Sequence, residues 1–241
     1  MPVTGIFFLP TQGTESPPTQ TIINSLNAQH NPSLLPPWSL YHRLFRETPT
    51  AVPNGSEKGK SSGPRFLQVL SLQHHAPRTY VAITATTSPS QTRAGTPASS
   101  HSAETAAGEP ATIISIPSGP PTEEFIQLII SKFGTLWQHR QVLTVTNGQS
   151  FEIGDFRIRV GEMRQGGGGG QMTRGAICEI EWVGGDEEGD KETDWDTAET
   201  TIRGFWEGLG IRGARSVFDV PGLALGESSV RQWCEILRVR G

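Results

Sequence analysis

The sequence has few cysteines and no long apolar run. Only Cys178 and Cys234 occur among 241 residues, which excludes a disulfide framework and a cysteine-based zinc site and favours a reducing compartment. No run reaches the roughly 18 consecutive apolar residues of a membrane-spanning helix, and the apolar run 5–9 is too short for a signal peptide. We therefore expect a soluble, unprocessed chain that does not bind a membrane.

Charged residues are also scarce, at 18% of the chain against about 25% in typical proteins. Twenty Lys and Arg stand against 24 Asp and Glu, which gives a formal net charge of -4. A nucleic-acid-binding face needs clustered cations that neutralise phosphates. Direct binding of nucleic acid is therefore not expected.

Glycine and proline are plentiful, with 28 and 18 copies, and they gather in a few segments. Residues 86–110 contain no Val, Ile, Leu, Met, Phe, Trp or Tyr, so they cannot bury enough surface to offset the entropy of ordering. The composition predicts one domain over residues 1–241 with flexible or disordered inserts at 49–64, 86–110, 164–173 and 184–193.

Between the inserts, short β-branched and aromatic segments predict eight strands. They are 4–9, 38–46, 65–74, 79–85, 112–117, 141–146, 155–163 and 174–183. Apolar spacing of three and four residues predicts four helices, at 19–30, 123–137, 195–209 and, with Ser229 as its capping residue, 229–237. The Asn147–Gly148 pair predicts a tight hairpin turn.

These elements predict an α+β fold, because runs of neighbouring strands with few crossovers favour an antiparallel sheet covered by helices. We expect a single domain with a mostly antiparallel, eight-stranded, barrel-like sheet flanked by about four helices. Whether the sheet closes is not readable from one sequence.

Most candidate catalytic and metal-binding groups lack the spacing or the neighbouring residues that such sites require. His74 and His75 are adjacent within a predicted strand, where they would face opposite ways and could not bind one ion. The glycine tract 166–170 lacks the Lys-Ser/Thr of a phosphate-binding loop. Cys178 lies inside a strand without a neighbouring base and is predicted to be a buried small hydrophobe. The sequence thus predicts no catalytic, cofactor-binding or metal-binding residues and no cofactor.

One pattern leaves two alternatives open. Glu179 and Glu181 share one strand face, and Arg157 and Arg159 share another. Inside a closed barrel these side chains would line a tunnel suited to a divalent metal and a polyphosphate, as in tunnel-type triphosphatases. The chain has no second Glu-x-Glu pair and has Val183 where those enzymes usually carry lysine, so we favour charges on solvated faces that pair across the sheet.

The helix at 195–209 carries Trp195, Phe205 and Trp206. Large aromatic side chains are favoured at the centres of protein interfaces. Such stripes more often pack on the protein's own sheet, which is the interpretation we prefer.

Four segments together are similar to one family. They are 1–8 (MPVTGIFF), 151–162 (FEIGDFRIRVGE), 174–182 (RGAICEIEW) and 230–238 (VRQWCEILR). In order and spacing they resemble Mediator complex subunit 20.

The resemblance implies a nuclear, non-catalytic structural and interaction subunit of the Mediator head module. It implies a heterodimer with subunit 18, a tether through subunit 8, and indirect contact with RNA polymerase II and the TATA-binding protein. The triphosphatase-like phosphohydrolase using Glu179/Glu181 and Arg157/Arg159 stays the alternative. Because the family's fold is related to the tunnel triphosphatases, the Glu179–Glu181 pair is expected to be a relic of a barrel without its catalytic set.

Overall fold

The computed structural model describes residues 3–11, 17–48, 64–75, 77–85, 112–167, 170–184, 195–218 and 225–238. These residues form nine strands and four helices. In chain order they are β1 (Val3–Pro10), α1 (Pro18–Gln29), β2 (Ser33–Glu47), β3 (Arg65–Leu72), β4 (Arg78–Ala85), β5 (Thr112–Pro117), α2 (Pro120–Lys132), β6 (Trp137–Ile153), β7 (Phe156–Gly167), β8 (Gly170–Trp182), α3 (Trp195–Gly208), β9 (Arg215–Phe218) and α4 (Leu225–Ile236).

All nine strands form one antiparallel sheet in the order β5-β4-β3-β2-β6-β7-β8-β1-β9. The predicted α+β class with an antiparallel sheet and four helices is therefore confirmed. The additional strand, β9, is only four residues long and pairs with β1. Strands β5 and β9 end the order without pairing to each other, so the sheet is open within the described residues.

The helices cover both faces of the sheet. On β8, Cys178 packs with residues of α1 and α3, whereas Ile177 packs with residues of α4. Helix α2 covers the far half, where Ile126 and Ile129 pack on strands β2 to β4. None of these helices, in the described part of the chain, has the length and apolar character needed to cross a membrane.

The aromatic residues of α3 belong to the protein's own core. Trp206 stacks on Phe7 of β1 with ring centroids 4.3 Å apart and is 6% exposed. Trp195 and Phe205 are half-buried against the same cluster. The preferred interpretation of this stripe, packing on the sheet, is confirmed.

The predicted turn at Asn147–Gly148 is wrong. Strand β6 continues through both residues, and the hairpin turn follows Ile153, which pairs with Phe156 of β7. Asn147 has a φ of 56°, and the register with β7 shifts between Thr144 and Gln149. The left-handed conformation that Asn tolerates here serves a bulge inside a long strand instead of a turn.

Some element ends also differ from the prediction. Helix α2 ends at Lys132, and Trp137 begins β6 instead of continuing the helix. Helix α4 begins at Leu225, so Ser229 lies inside it and is not the capping residue. Strands β7 and β8 reach Gly167 and Gly170, so much of the predicted insert 164–173 is strand.

The other predicted inserts, at 49–64, 86–110 and 184–193, lie outside the described residues except for Pro64 and Gly184.

A buried histidine links β2 and β3. His42 is fully buried, and its Nε2 lies 3.0 Å from Oε1 of Gln68. Burial lowers the pKa of His42 from 6.5 to about 4, against a weaker opposing effect of the Gln68 hydrogen bond. The folded protein therefore holds this imidazole in its neutral form at physiological pH.

Acidification should destabilise the protein through His42. The unfolded chain binds a proton below pH 6.5 and the folded chain only below about 4, so the free energy of unfolding falls as the pH falls through this window. The full loss is about 3 kcal/mol. Urea unfolding at pH 7 and pH 4.5 measures most of this loss, because the rest falls below pH 4.5.

The control for this titration is His42→Gln, which cannot titrate. Because burial also lowers the pKa values of His75 and His139, both proteins should lose some stability at pH 4.5. Wild type should lose more than the variant. Equal losses in the two proteins would contradict the assignment to His42.

Candidate functional site: a buried charged cluster beneath helix α4

The register of β7 and β8 brings the two charged pairs together. Arg157 lies opposite Glu181 and Arg159 lies opposite Glu179. Glu179 and Glu181 are on the same face of β8 as Ile177, which packs in the core beneath α4, and the arginines opposite them share this face of the sheet. The cluster therefore lies on an inner face of the sheet, covered by a helix.

The pairs form a chain of ion pairs across the strands. Nη1 of Arg159 donates to Oε2 of Glu179 at 2.6 Å, and its Nη2 donates to Oε2 of Glu181 at 3.1 Å. Nη1 of Arg157 reaches the same oxygen of Glu181 at 3.4 Å. Arg159 is thus a bridge between the two carboxylates.

Burial distinguishes the inner pair from the outer pair. Arg159 is 8% exposed and Glu179 2%, whereas the side chain of Arg157 is 42% exposed. Pairing across the sheet agrees with the preferred sequence interpretation. The predicted solvated position is wrong for Arg159 and Glu179. The covering helix α4, whose Trp233 follows Glu179 by 54 residues, cannot be recognised from the strand pattern.

Two tryptophans enclose the inner pair. Trp233 of α4 donates its Nε1 to Oε1 of Glu179 at 3.3 Å. The ring centroid of Trp38 lies 6.0 Å from that of Trp233, and its Nε1 donates to the carbonyl of Val160 at 3.3 Å. Helix α4 thus supplies a hydrogen-bond donor to Oε1 of Glu179, the carboxylate oxygen that Arg159 does not bind.

Two glycines make room for the indole of Trp38. A Cβ on Gly148 would clash with Nε1 of Trp38, and one on Gly161 would clash with Cγ1 of Val145 and lie 3.1 Å from Cζ2 of Trp38. A larger residue at Gly148 would therefore have to displace the ring, whereas at Gly161 it would meet Val145 first. The indole therefore lies directly on the backbone of β6 and β7.

His74 and His75 also belong to the cluster, against the sequence prediction. Strand β3 ends at Leu72, and both histidines lie in the turn that follows. The alternation of a strand no longer applies, and their ring nitrogens and a carboxylate oxygen of Glu179 all lie within 4.8 Å of one another. Pro77, two residues after His75, is the sequence signal that could have ended the strand earlier.

Electrostatics favour an ionised Glu179 beside these groups. Burial alone raises the pKa of Glu179, but the neighbouring His74 and Arg159 outweigh it and lower the pKa to about 2. Burial lowers the pKa of His75, and the neighbouring His74 lowers it further. Burial raises the pKa of the Cys178 thiol well above its usual range, as expected for an inert buried cysteine.

An open pocket of about 390 Å³ reaches the cluster from solvent. Its lining includes Trp38, His74, Ser150, Arg157 and Arg159. The carboxylate groups of Glu179 and Glu181 are already paired with these arginines. Hydrolysis of a polyphosphate with a hard divalent ion needs carboxylates that are open to the metal, and this arrangement does not offer a set of them.

Comparison with known proteins assigns the chain to a family. The family model described as TATA-binding related factor (TRF) of subunit 20 of Mediator complex matches residues 1–237. The chain belongs to the Med20 family. This Med20-family chain is therefore a subunit of the Mediator complex, as its sequence resemblance implies, and its function is in transcription.

Two solved structures are similar to this Med20-family chain at a TM-score of 0.41. One is the PH1819 protein of Pyrococcus horikoshii OT3, at 8% identity over 99% of this chain and 100% of that chain. The other is a chain of the Schizosaccharomyces pombe Mediator head module, at 10% identity over 90% of this chain and 98% of that chain. No curated protein matches the chain.

Proposed function

We propose that this chain is a nuclear, non-catalytic structural subunit of the Mediator head module. Its role is to link transcription regulators to RNA polymerase II and the general initiation factors, including the TATA-binding protein, through other proteins. Subunit 18 is its direct heterodimer partner, and subunit 8 tethers the pair to the module. The observation that carries the proposal is the Med20 family match over residues 1–237.

The surface of α2 supports a role in binding protein. Leu128 and Ile130 are 46% and 45% exposed, and Phe133 and Leu136 just after the helix are 40% and 48% exposed. A monomeric protein rarely leaves several large apolar side chains exposed on one short segment. Coverage of this segment by subunit 18 would remove them from water.

The charged cluster supports a structural role in preference to phosphohydrolysis. Arg159 bridges Glu179 and Glu181 at hydrogen-bond distances. Charges matched in this way hold two strands together and leave little net charge for a polyphosphate. The cluster therefore suits a scaffold better than the alternative enzyme.

Co-expression with subunit 18 tests the proposal. We expect the two chains to co-purify as a 1:1 complex through size-exclusion chromatography and the isolated chain to self-associate. A monodisperse isolated monomer that never elutes with subunit 18 would contradict the heterodimer.

A matched pair of variants tests the surface. Leu128→Asp should weaken the complex by at least about tenfold, because it puts a charge into a buried apolar contact. Gln127→Asp adds the same charge at the neighbouring exposed position and should have little effect. If both variants bind like wild type, subunit 18 covers another surface.

A further inference from the structure

We propose that His74, His75 and Glu179 form a binding site for one divalent transition-metal ion of the zinc class. The site joins the β3–β4 turn to β8 beneath α4. It is separate from the assembly function proposed above and does not depend on it.

The first observation is the convergence of the three side chains. Nε2 of His74 lies 3.1 Å from Oε2 of Glu179, and the ligand atoms of all three residues lie within 4.8 Å of one another. A tetrahedral ion holds neighbouring ligand atoms roughly 3.3 Å apart. A small inward movement of the histidine turn would therefore bring the three protein ligands to this spacing, with water as the fourth ligand.

The second observation is the unsatisfied ring of His74. Its side chain is only 11% exposed, and within the described residues Nδ1 has no hydrogen-bond partner. Nε2 lies 3.1 Å from Oε2 of Glu179, but not in the geometry of a hydrogen bond. Buried polar atoms without partners cost free energy and are rare in folded proteins. Coordination of an ion by one of these nitrogens would remove that cost.

The surroundings of the rings suit coordination. His74 packs edge-on to Trp38, with centroids 5.7 Å apart, and Nε2 of His75 is 3.5 Å from Oγ of Ser229. Two imidazoles and one carboxylate are the ligand set of a zinc-class ion, whereas Mg²⁺ and Ca²⁺ require oxygen ligands. The chemical class of the ion follows from the two nitrogens.

The contacts of Arg159 and Trp233 with Glu179 are compatible with this site. Carboxylates that bind metals are commonly held by hydrogen bonds from neighbouring groups, which orient them. Trp233 holds Oε1 and Arg159 holds Oε2 from the β7 side, while His74 approaches Oε2 from the β3–β4 turn. Arg159 also reduces the negative charge at the site, so its presence weakens binding of the ion.

An ion can enter without unfolding of the core. His74 lines the pocket of about 390 Å³, and His75 lines a second open pocket of about 570 Å³. Each histidine therefore borders a space that is open to solvent. A bound ion would stabilise the folded state by mass action, because the unfolded chain does not assemble the three ligands.

Cobalt titration tests the site directly. The full chain is treated with EDTA, dialysed and titrated with Co²⁺, whose visible absorption is strong in a tetrahedral site. We expect one equivalent to produce this band, Zn²⁺ to abolish it by competition, and Zn²⁺ to raise the melting temperature. His75→Asn should weaken binding by at least roughly tenfold, with far-UV circular dichroism as the check of folding.

His139→Asn is the matched control, because His139 is exposed on β6 and outside the cluster. It should bind Co²⁺ like wild type. The proposal is overturned if wild type gives no tetrahedral band and no thermal shift. It is also overturned if His75→Asn retains the wild-type affinity, which would locate the bound ion elsewhere.

Discussion

Replacing Arg159 with methionine should lower the free energy of unfolding by about 3–5 kcal/mol. The substitution keeps an unbranched apolar side chain of similar length but leaves Glu179, 2% exposed, without its closest cation. A buried carboxylate that loses its partner retains its full desolvation cost. Burial by itself raises the pKa of Glu179, because it disfavours the charged carboxylate. Urea unfolding at pH 7 measures the loss.

Arg157→Met is the matched control on the same strand face. Its side chain is 42% exposed, and its Nη1 lies 3.4 Å from Oε2 of Glu181, so solvent screens the pair and the change should stay within about 1 kcal/mol. The double variant Arg159→Met/Glu179→Met should lose less stability than Arg159→Met alone, because it removes the uncompensated charge. Equal losses from the two single arginine variants would contradict a buried, tightly coupled inner pair.

The fold class could be predicted because it depends on local patterns. Alternating apolar and charged residues in β7 and β8 identified both strands and the faces of Arg157, Arg159, Glu179 and Glu181. The bulge at Asn147 could not be predicted, because a turn and a bulge use the same backbone conformation at that residue. Only the partner strand decides between them.

The site was harder to predict, because its character comes from contacts distant in sequence. Glu179 has the pattern of a solvated position until Trp233, 54 residues later, covers it. The apolar pattern predicts opposite faces for His74 and His75 because it extends the strand two residues beyond its end at Leu72. Past the end of a strand the two-residue alternation of side chains no longer applies, so these histidines can meet. No local motif indicates the function, and the resemblance to a family is the sequence feature that does.

Trp38→Ala should lower the free energy of unfolding by about 3–5 kcal/mol. The indole is 2% exposed and contacts both Trp233 and His74, so its loss leaves a large cavity above the charged cluster. Trp137→Ala, at the half-buried start of β6, is the control and should cost less. If Trp38→Ala and Trp137→Ala lost similar stability, the neighbouring side chains would have filled the space left by Trp38, which would contradict the predicted large cavity.

The contact between Trp38 and Gly148 gives a sharper test of the same packing. The three heavy atoms nearest to a Cβ at Gly148 all belong to the Trp38 indole. Gly148→Ala should therefore cost about 1–3 kcal/mol in wild type by overpacking. In the Trp38→Ala background the methyl group enters the vacated space, so the same change should be nearly neutral. A double-mutant cycle should give a coupling free energy of at least about 1 kcal/mol; strict additivity would mean that the indole does not rest on β6, and that the enclosure of the cluster by Trp38 is wrong.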